Sequence, residues 1–185
     1  CGSRSIAYGN MVHNVLGIEA ILSDGVSEYF GPFGVNAGRA MASGRAGELV
    51  AQLFALGARE RDEIARVWPK VLRRVGGYNL DVFNPQSERP YTDDGSVNLA
   101  HLLVGSEGTL GYFRRLVLKL SPLPKARVLG VVNFPTFWAA MDSAQHIVKL
   151  GPSAVELVDR TMIELSRANP VFRPTIERAL IEREG

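Results

Sequence analysis

The segment from Val15 to Phe30 constrains the fold of this chain more than any other. Val15-Leu16-Gly17-Ile18-Glu19-Ala20-Ile21-Leu22 is β-branched and apolar, Asp24-Gly25 follows, and Val26 to Phe30 resumes an extended pattern. An Asp-Gly pair between two such runs predicts a β-hairpin with a type I′ turn, which needs positive φ at both central residues. The chain is therefore expected to contain an antiparallel sheet.

Gly34 to Gly44 shifts to Gly, Ala, Ser and Arg without periodicity and predicts a flexible surface loop. Leu49, Val50, Leu53 and Leu56 recur at helical spacing, which predicts a helix over 46–56 that Gly57 ends. A second helix is predicted over 59–75, with Ile64, Val67, Val71, Leu72 and Val75 inward. Pro69 should kink or split it, and Gly76-Gly77 should stop it. Residues 84–96 read as a loop, and 97–104 as a short helix carrying Leu99, Leu102 and Leu103.

Gly105 to Gly111 is a glycine-rich turn. Tyr112 to Leu120 then reads as a half-buried strand with Phe113, Leu116, Leu118 and Leu120 inward, stopped by Pro122 and Pro124. A new unit follows. Its expected elements are a strand over 128–134, a helix over 136–150 with Thr136 as N-cap, a strand over 154–158 and a helix starting at Thr161. The helix over 136–150 presents Phe137, Ala140, Met141, Ala144, Ile147 and Val148 on one face. Pro174 to Glu184 has an amphipathic helical pattern with no cap, and the opening Cys-Gly-Ser-Arg is loop-like, so the chain reads as cut at both ends.

Charge and cysteine content exclude several classes. Basic and acidic residues number 21 and 19 and form no run of like sign, which gives no footprint for nucleic acid or a membrane surface. Arg59 to Arg66 alternates in sign, as a solvated helix face does. Cys1 is the only cysteine, so an internal disulfide and a cysteine-rich metal site are both excluded. His13, His101 and His146 lack metal-ligand spacing: the first two are expected in structural roles, the third in solvent. No apolar run reaches the ~18 residues of a membrane span, and nothing resembles a signal peptide, so a cytoplasmic protein is expected. Trp68 and Trp138 read as core or interface anchors, and Tyr78-Asn79 as an ordered turn.

Two segments have the composition of ligand-contacting backbone. One is Cys1-Gly2-Ser3-Arg4-Ser5 with Tyr8-Gly9-Asn10, and the other is Gly105 to Gly111. Small residues let a phosphate or ring approach the main chain, whose N–H groups then donate to it. In this order, with Val15-Leu16-Gly17-Ile18-Glu19, Ser23-Asp24-Gly25 and Leu103-Val104-Gly105-Ser106-Glu107-Gly108-Thr109-Leu110-Gly111, the segments resemble the FAD-linked oxidase family. That family includes glycolate oxidase flavin subunits and D-lactate and D-2-hydroxyglutarate dehydrogenases, and its flavin domain is shared with vanillyl-alcohol oxidase. The likeness covers most of residues 1–123. Gly76-Gly77-Tyr78-Asn79-Leu80-Asp81 resembles a longer branch of the family, and Leu157-Val158-Asp159-Arg160 the start of its C-terminal domain.

The resemblance implies FAD as cofactor. It implies main-chain contacts to the flavin from Cys1 and Gly2, contacts from Glu107, Gly108, Thr109, Leu110, Gly111, Tyr112 and Phe113, and a place near the adenine for Ile18. Cys1 has no adjacent base, so a backbone contact is expected of it rather than covalent attachment. Glu107 would repel a phosphate, so its backbone is the expected contact. Arg4 is as well suited to the surface as to the pyrophosphate. The family's phosphate loop would precede Cys1, and its metal-binding and proton-abstracting residues would follow Gly185. The chain alone is thus expected to bind little FAD and to contain neither catalytic nor metal-binding residues. An iron–sulfur cluster in a further module belongs to the longer branch.

The expected fold class is α+β: the C-terminal part of a vanillyl-alcohol oxidase-type FAD-binding domain over 1–123, then the start of an α/β, ferredoxin-like cap domain over 124–185, joined at 121–126. The expected function is part of an FAD-dependent oxidoreductase that oxidises a D-2-hydroxy acid by hydride transfer to flavin. The partner is then a small-molecule substrate together with an electron acceptor, and the sequence specifies neither. Alternatives from other classes are a non-catalytic binding or assembly domain on the same scaffold, and a flavin oxidase acting on another alcohol or a sugar.

Overall fold

The computed structural model describes residues 2–33 and 45–180. The predicted loop over 34–44, Cys1 and residues 181–185, which include the last four positions of the 174–184 pattern, lie outside them. The described residues form two compact units: one within Tyr8–Ser121, the other made of Gly2–Ala7 with the residues from Pro122 onward.

The first unit is built on a hairpin. The single turn α2 (Met11–Asn14), preceded in the chain by α1 (Ser5–Tyr8), whose first three residues belong to the second unit, leads into β1 (Val15–Ile21). This strand pairs antiparallel with β2 (Ser27–Phe30), Ile18 opposite Phe30 and Ile21 opposite Ser27. The turn differs from the expected type I′. Gly25 has φ +81°, whereas Asp24 is not among the residues with positive φ. Gly25 N–H donates to Leu22 C=O at 2.9 Å and Leu22 N–H to Val26 C=O at 2.9 Å. This is the three-residue loop in which a type I turn is followed by a left-handed glycine, so only one residue must adopt positive φ. Asp24 instead accepts from Val26 N–H through Oδ1 at 3.0 Å, the usual aspartate turn bond.

β3 (Pro32–Phe33) follows, then α3 (Arg45–Arg59) and α4 (Arg61–Val67). Gly57 lies inside α3 and does not end it. A Cβ there would sit 2.4 Å from Phe83 Cγ, so the glycine is where the helix admits the ring of the 3-10 turn Leu80–Phe83. The helix predicted over 59–75 closes at Val67, because the residue before a proline is driven out of the α region and Trp68 is extended at ψ 130°. Val71, Leu72 and Val75, expected inward, are exposed. The predicted helix over 97–104 is divided between β4 (Val97–Asn98), which pairs with β3, and α5 (Ala100–Leu103).

β5 (Tyr112–Leu118) completes a three-stranded antiparallel sheet of order β2-β1-β5. Ala20 pairs with Phe113 and Glu19 with Arg115, so Arg114 is an extra residue on β5. That bulge explains why Phe113 and Leu116, three apart, share the face of Ala20 and Ile18. Of the residues expected inward on β5 only Phe113 is half-buried; Leu116 and Leu118 are exposed, and Leu120 lies beyond the strand and is exposed. The core gathers Val15, Ile18, Ala20, Phe30, Val82, Leu99, Ala100, Leu102 and Leu103, with Leu49, Val50, Leu53 and Phe54 of α3 packed on it.

The second unit contains α6 (Phe137–Ile147), α7 (Arg160–Ala168) and α8 (Arg173–Ala179). Thr136 is the N-cap of α6, accepting from Ala139 N–H at 3.1 Å. Asp159 does the same for α7, from Met162 N–H at 2.7 Å. The strands expected over 128–134 and 154–158 are not formed among the described residues. A strand is defined by a hydrogen-bonded neighbour, and Val128 and Leu129 are exposed instead. No hydrophobic residue from Pro122 onward is buried among those described, and Trp138 is exposed rather than in a core. His146 is exposed, as expected.

Candidate functional site

The segment Gly105–Gly111 joins α5 to β5 and lies on the first unit's surface, with its base locked to the interior. Gly105 has φ +88°, and a Cβ there would meet Gly77 C=O at 3.0 Å, so the 76–79 turn and this loop touch backbone to backbone. Ser106 is buried, with its N–H donating to Leu103 C=O. Thr109 folds back on Ser106: its N–H and its Oγ1 both donate to Ser106 C=O, at 2.9 and 2.6 Å. That hydroxyl proton is committed, so Tyr78 OH donates to Thr109 Oγ1 across 2.8 Å. Gly111 closes the loop, a Cβ there falling 2.9 Å from Ile21 C=O.

Between these anchors the main chain faces outward. Glu107, Gly108, Thr109 and Leu110 are exposed. Glu107 (φ +51°) and Gly108 (φ +81°) are both left-handed, and Glu107 is the one non-glycine with positive φ among the described residues. A Cβ at Gly108 would meet nothing within 4 Å. A flat or anionic ligand can therefore approach this backbone closely, and the residues present suit main-chain contact with a flavin.

Under the loop lies a polar cluster that sequence reading missed. Arg74 Nη2 donates to Asn79 Oδ1 at 2.6 Å, Asp81 Oδ1 at 3.0 Å and Tyr91 OH at 3.1 Å. Tyr91 OH donates to both Asp81 oxygens, at 3.0 and 2.9 Å. Asp81 is 1% exposed and Arg74 13%, so this is a buried ion pair, with the guanidinium also 4.9 Å from the Trp68 ring centroid. Burial raises the Tyr91 phenol to about 12 despite the Arg74 hydrogen bond. Asn79 Nδ2 donates to His101 C=O at 2.8 Å and Val104 C=O at 2.9 Å, tying the cluster to the residues just ahead of Gly105. A signal was present in Leu80-Asp81-Val82-Phe83, where an acidic residue interrupts an apolar run.

His101 has its edge to Tyr91, 5.9 Å between centroids. Its Nε2 is 3.0 Å from Val15 C=O and must carry the proton, leaving Nδ1 as a bare nitrogen without a partner. Desolvation lowers its pKa to about 4 against the pull of that carbonyl, so the ring is neutral. His13 is lowered in the same direction, first by burial and then by Arg89, and its Nδ1 accepts from Asn10 N–H at 3.0 Å. Both histidines have structural partners, and among the described residues no His, Cys, Asp or Glu group is placed to hold a metal ion. No helix there is long and apolar enough to cross a membrane.

The residues singled out from sequence are thus distributed as follows. Glu107, Gly108, Thr109 and Leu110 are exposed in succession, Gly111 is half-buried, Tyr112 is exposed and Phe113 is half-buried against the core. Ile18 sits in the central strand with its side chain 1% exposed, packed in the core beside Leu102 and Val82. Gly2 is exposed and belongs to the second unit, as does Arg4. Cys1 lies outside the described residues.

Comparison with known proteins finds likeness over most of the chain. Residues 123–185 match the family described as FAD linked oxidases, C-terminal domain. Over 179 residues, 95% of this chain, it is 28% identical to D-2-hydroxyglutarate dehydrogenase of Escherichia coli (strain K12), of which it covers 17%. It is 27% identical over 164 residues, 88% of the chain, to the probable mitochondrial D-lactate dehydrogenase of Danio rerio, covering 22% of that protein. A shorter stretch of 84 residues, 44% of the chain, is 37% identical to the mitochondrial D-lactate dehydrogenase [cytochrome] 1 of Saccharomyces cerevisiae (strain ATCC 204508 / S288c), 14% of its length. No solved structure matches. The described residues combine helices with small antiparallel sheets, and the family match covers residues 123–185. The chain spans 17% of the length of the D-2-hydroxyglutarate dehydrogenase it matches in Escherichia coli.

Proposed function

We propose that this chain is part of an FAD-dependent oxidoreductase that oxidises a D-2-hydroxy acid. When bound, the flavin would supply the acceptor for the hydride leaving the substrate's α-carbon. The Tyr8–Ser121 unit is read as the second half of a vanillyl-alcohol oxidase-type FAD-binding domain, and the residues from 124 as the start of the cap domain.

The observation that carries this reading is the exposed, left-handed backbone of Glu107-Gly108, fixed at its base by Thr109 and Gly105. The chain's residues would act by binding and orientation. Main-chain groups of Glu107 to Gly111 would line the cofactor, and the Glu107 carboxylate would point away from its phosphates. Ile18, Tyr112 and Phe113 would support the loop's far end through β1 and β5. The names of the relatives favour D-2-hydroxyglutarate or D-lactate as substrate.

The test is the full open reading frame, purified and examined by visible absorption. A yellow protein whose flavin band bleaches anaerobically with D-2-hydroxyglutarate or D-lactate supports the proposal. A colourless protein that FAD cannot reconstitute would overturn it, and bleaching only by other alcohols or sugars would overturn the substrate class.

A further inference from the structure

The Asn79 side chain links the buried ion pair to the exposed loop, and its two ends are chemically opposite. Oδ1 accepts from Arg74, and Nδ2 donates to the carbonyls of His101 and Val104. A guanidinium has five donors and no acceptor, so it fixes which end of the amide is oxygen. The NH2 group must then face the two carbonyls. These belong to α5 and its C-terminal flank, where helical carbonyls lack intrahelical partners. Asn79 is 4% exposed, so water cannot substitute readily. Its neighbours complete the grip: Tyr78 OH holds Thr109, and Gly77 C=O packs where Gly105 would have a Cβ.

We propose that Asn79 is a positioning residue for the Gly105–Gly111 loop. The Arg74–Asp81 pair sets its orientation, and the loop's main chain is therefore held in shape before any ligand arrives. The functional meaning of this rests on the reading of the loop as flavin-contacting; the positioning itself does not.

The experiment is amide hydrogen exchange read by NMR on residues 1–185 and on Asn79→Asp, with Tyr78→Phe as a second variant. Asn79→Asp keeps the shape and the acceptor for Arg74 but sets an oxygen against two carbonyls. The Ser106 and Thr109 amides, which donate to Leu103 C=O and Ser106 C=O, should exchange about tenfold faster, while Ile18 and Ala20 of β1 stay within about twofold of the parent. Loop amides within about twofold of the parent, or loop and β1 amides accelerating together, would overturn the proposal. If Asn79→Asp does not fold, Tyr78→Phe decides: it removes only the exposed bond to Thr109, and an unchanged Thr109 amide would sink the idea. FAD protection of the same amides in the full-length protein is measured separately. Its absence would remove the flavin reading and leave the Asn79 result standing.

Discussion

Replacing Arg74 by Met is the sharpest test of how the site is supported. The change removes a guanidinium that holds Asp81, Asn79 and Tyr91 together and leaves the Asp81 carboxylate, 1% exposed, with Tyr91 OH as its remaining partner. Removing one member of a buried ion pair costs about 3–5 kcal/mol, and Arg74's own 13% exposure argues for the lower figure, about 3 kcal/mol. Against the roughly 5–15 kcal/mol by which domains are stable, that is a large fraction. The assay is urea unfolding in a Trp138→Phe background. Trp138 is exposed, and its removal leaves Trp68, which lies against Arg74, as the only tryptophan reporting on the Tyr8–Ser121 unit. Adding Asp81→Leu to Arg74→Met should recover about half or more of the loss, since an apolar pair avoids the unpaired buried charge. A loss below about 1 kcal/mol for Arg74→Met would refute the assignment of a desolvated ion pair.

Gly57→Ala should destabilise by about 1–2 kcal/mol, because overpacking against Phe83 outweighs the roughly 1 kcal/mol gained in helix propensity; urea melts and rescue by Phe83→Leu would check it. Gly17→Ala should cost less than about 1 kcal/mol in the same melts, although its Cβ would fall 2.2 Å from Tyr29 Oη, since that hydroxyl ends a half-exposed side chain able to swing away. His101 gives a pH dependence. Its folded pKa of about 4 lies below the unfolded 6.5, so the unfolded state binds more protons; stability is intact above about pH 7 and falls as pH drops from 6.5 toward 4. The difference of about 2.5 units corresponds to a loss of about 3 kcal/mol at most, read as the shift in urea midpoint with pH; an equal slope in His101→Gln would count against it.

Much of this chain was legible because local chemistry decides it. Val15 to Phe30 is two β-forming runs around Asp24-Gly25, so the hairpin was legible from local chemistry. Thr136 caps its helix through its own side chain, as its position predicted, and Gly105 to Gly111 declares a turn by its glycines; the Asp159 cap of α7 was not singled out. The type of hairpin turn was not legible, because Asp24 satisfies itself through an aspartate turn bond in a looser loop. Nor was the end of α3, because the absence of a side chain at Gly57 matters only once Phe83, 26 residues on in sequence, lies against it.

Sequence by itself determined the β1–β2 hairpin, the helix α3 and the exposed glycine-rich segment before β5, since propensity and glycine conformations act over a few residues. Tertiary structure alone decided that Arg74, Asn79, Asp81 and Tyr91 converge beneath that loop. A charge becomes an anchor only when folding removes its water and sets protein groups in its place. The same reasoning accounts for 128–134 and 154–158: their sequences favour extension, but a strand is a relation between two segments, and no partner lies alongside them among the described residues.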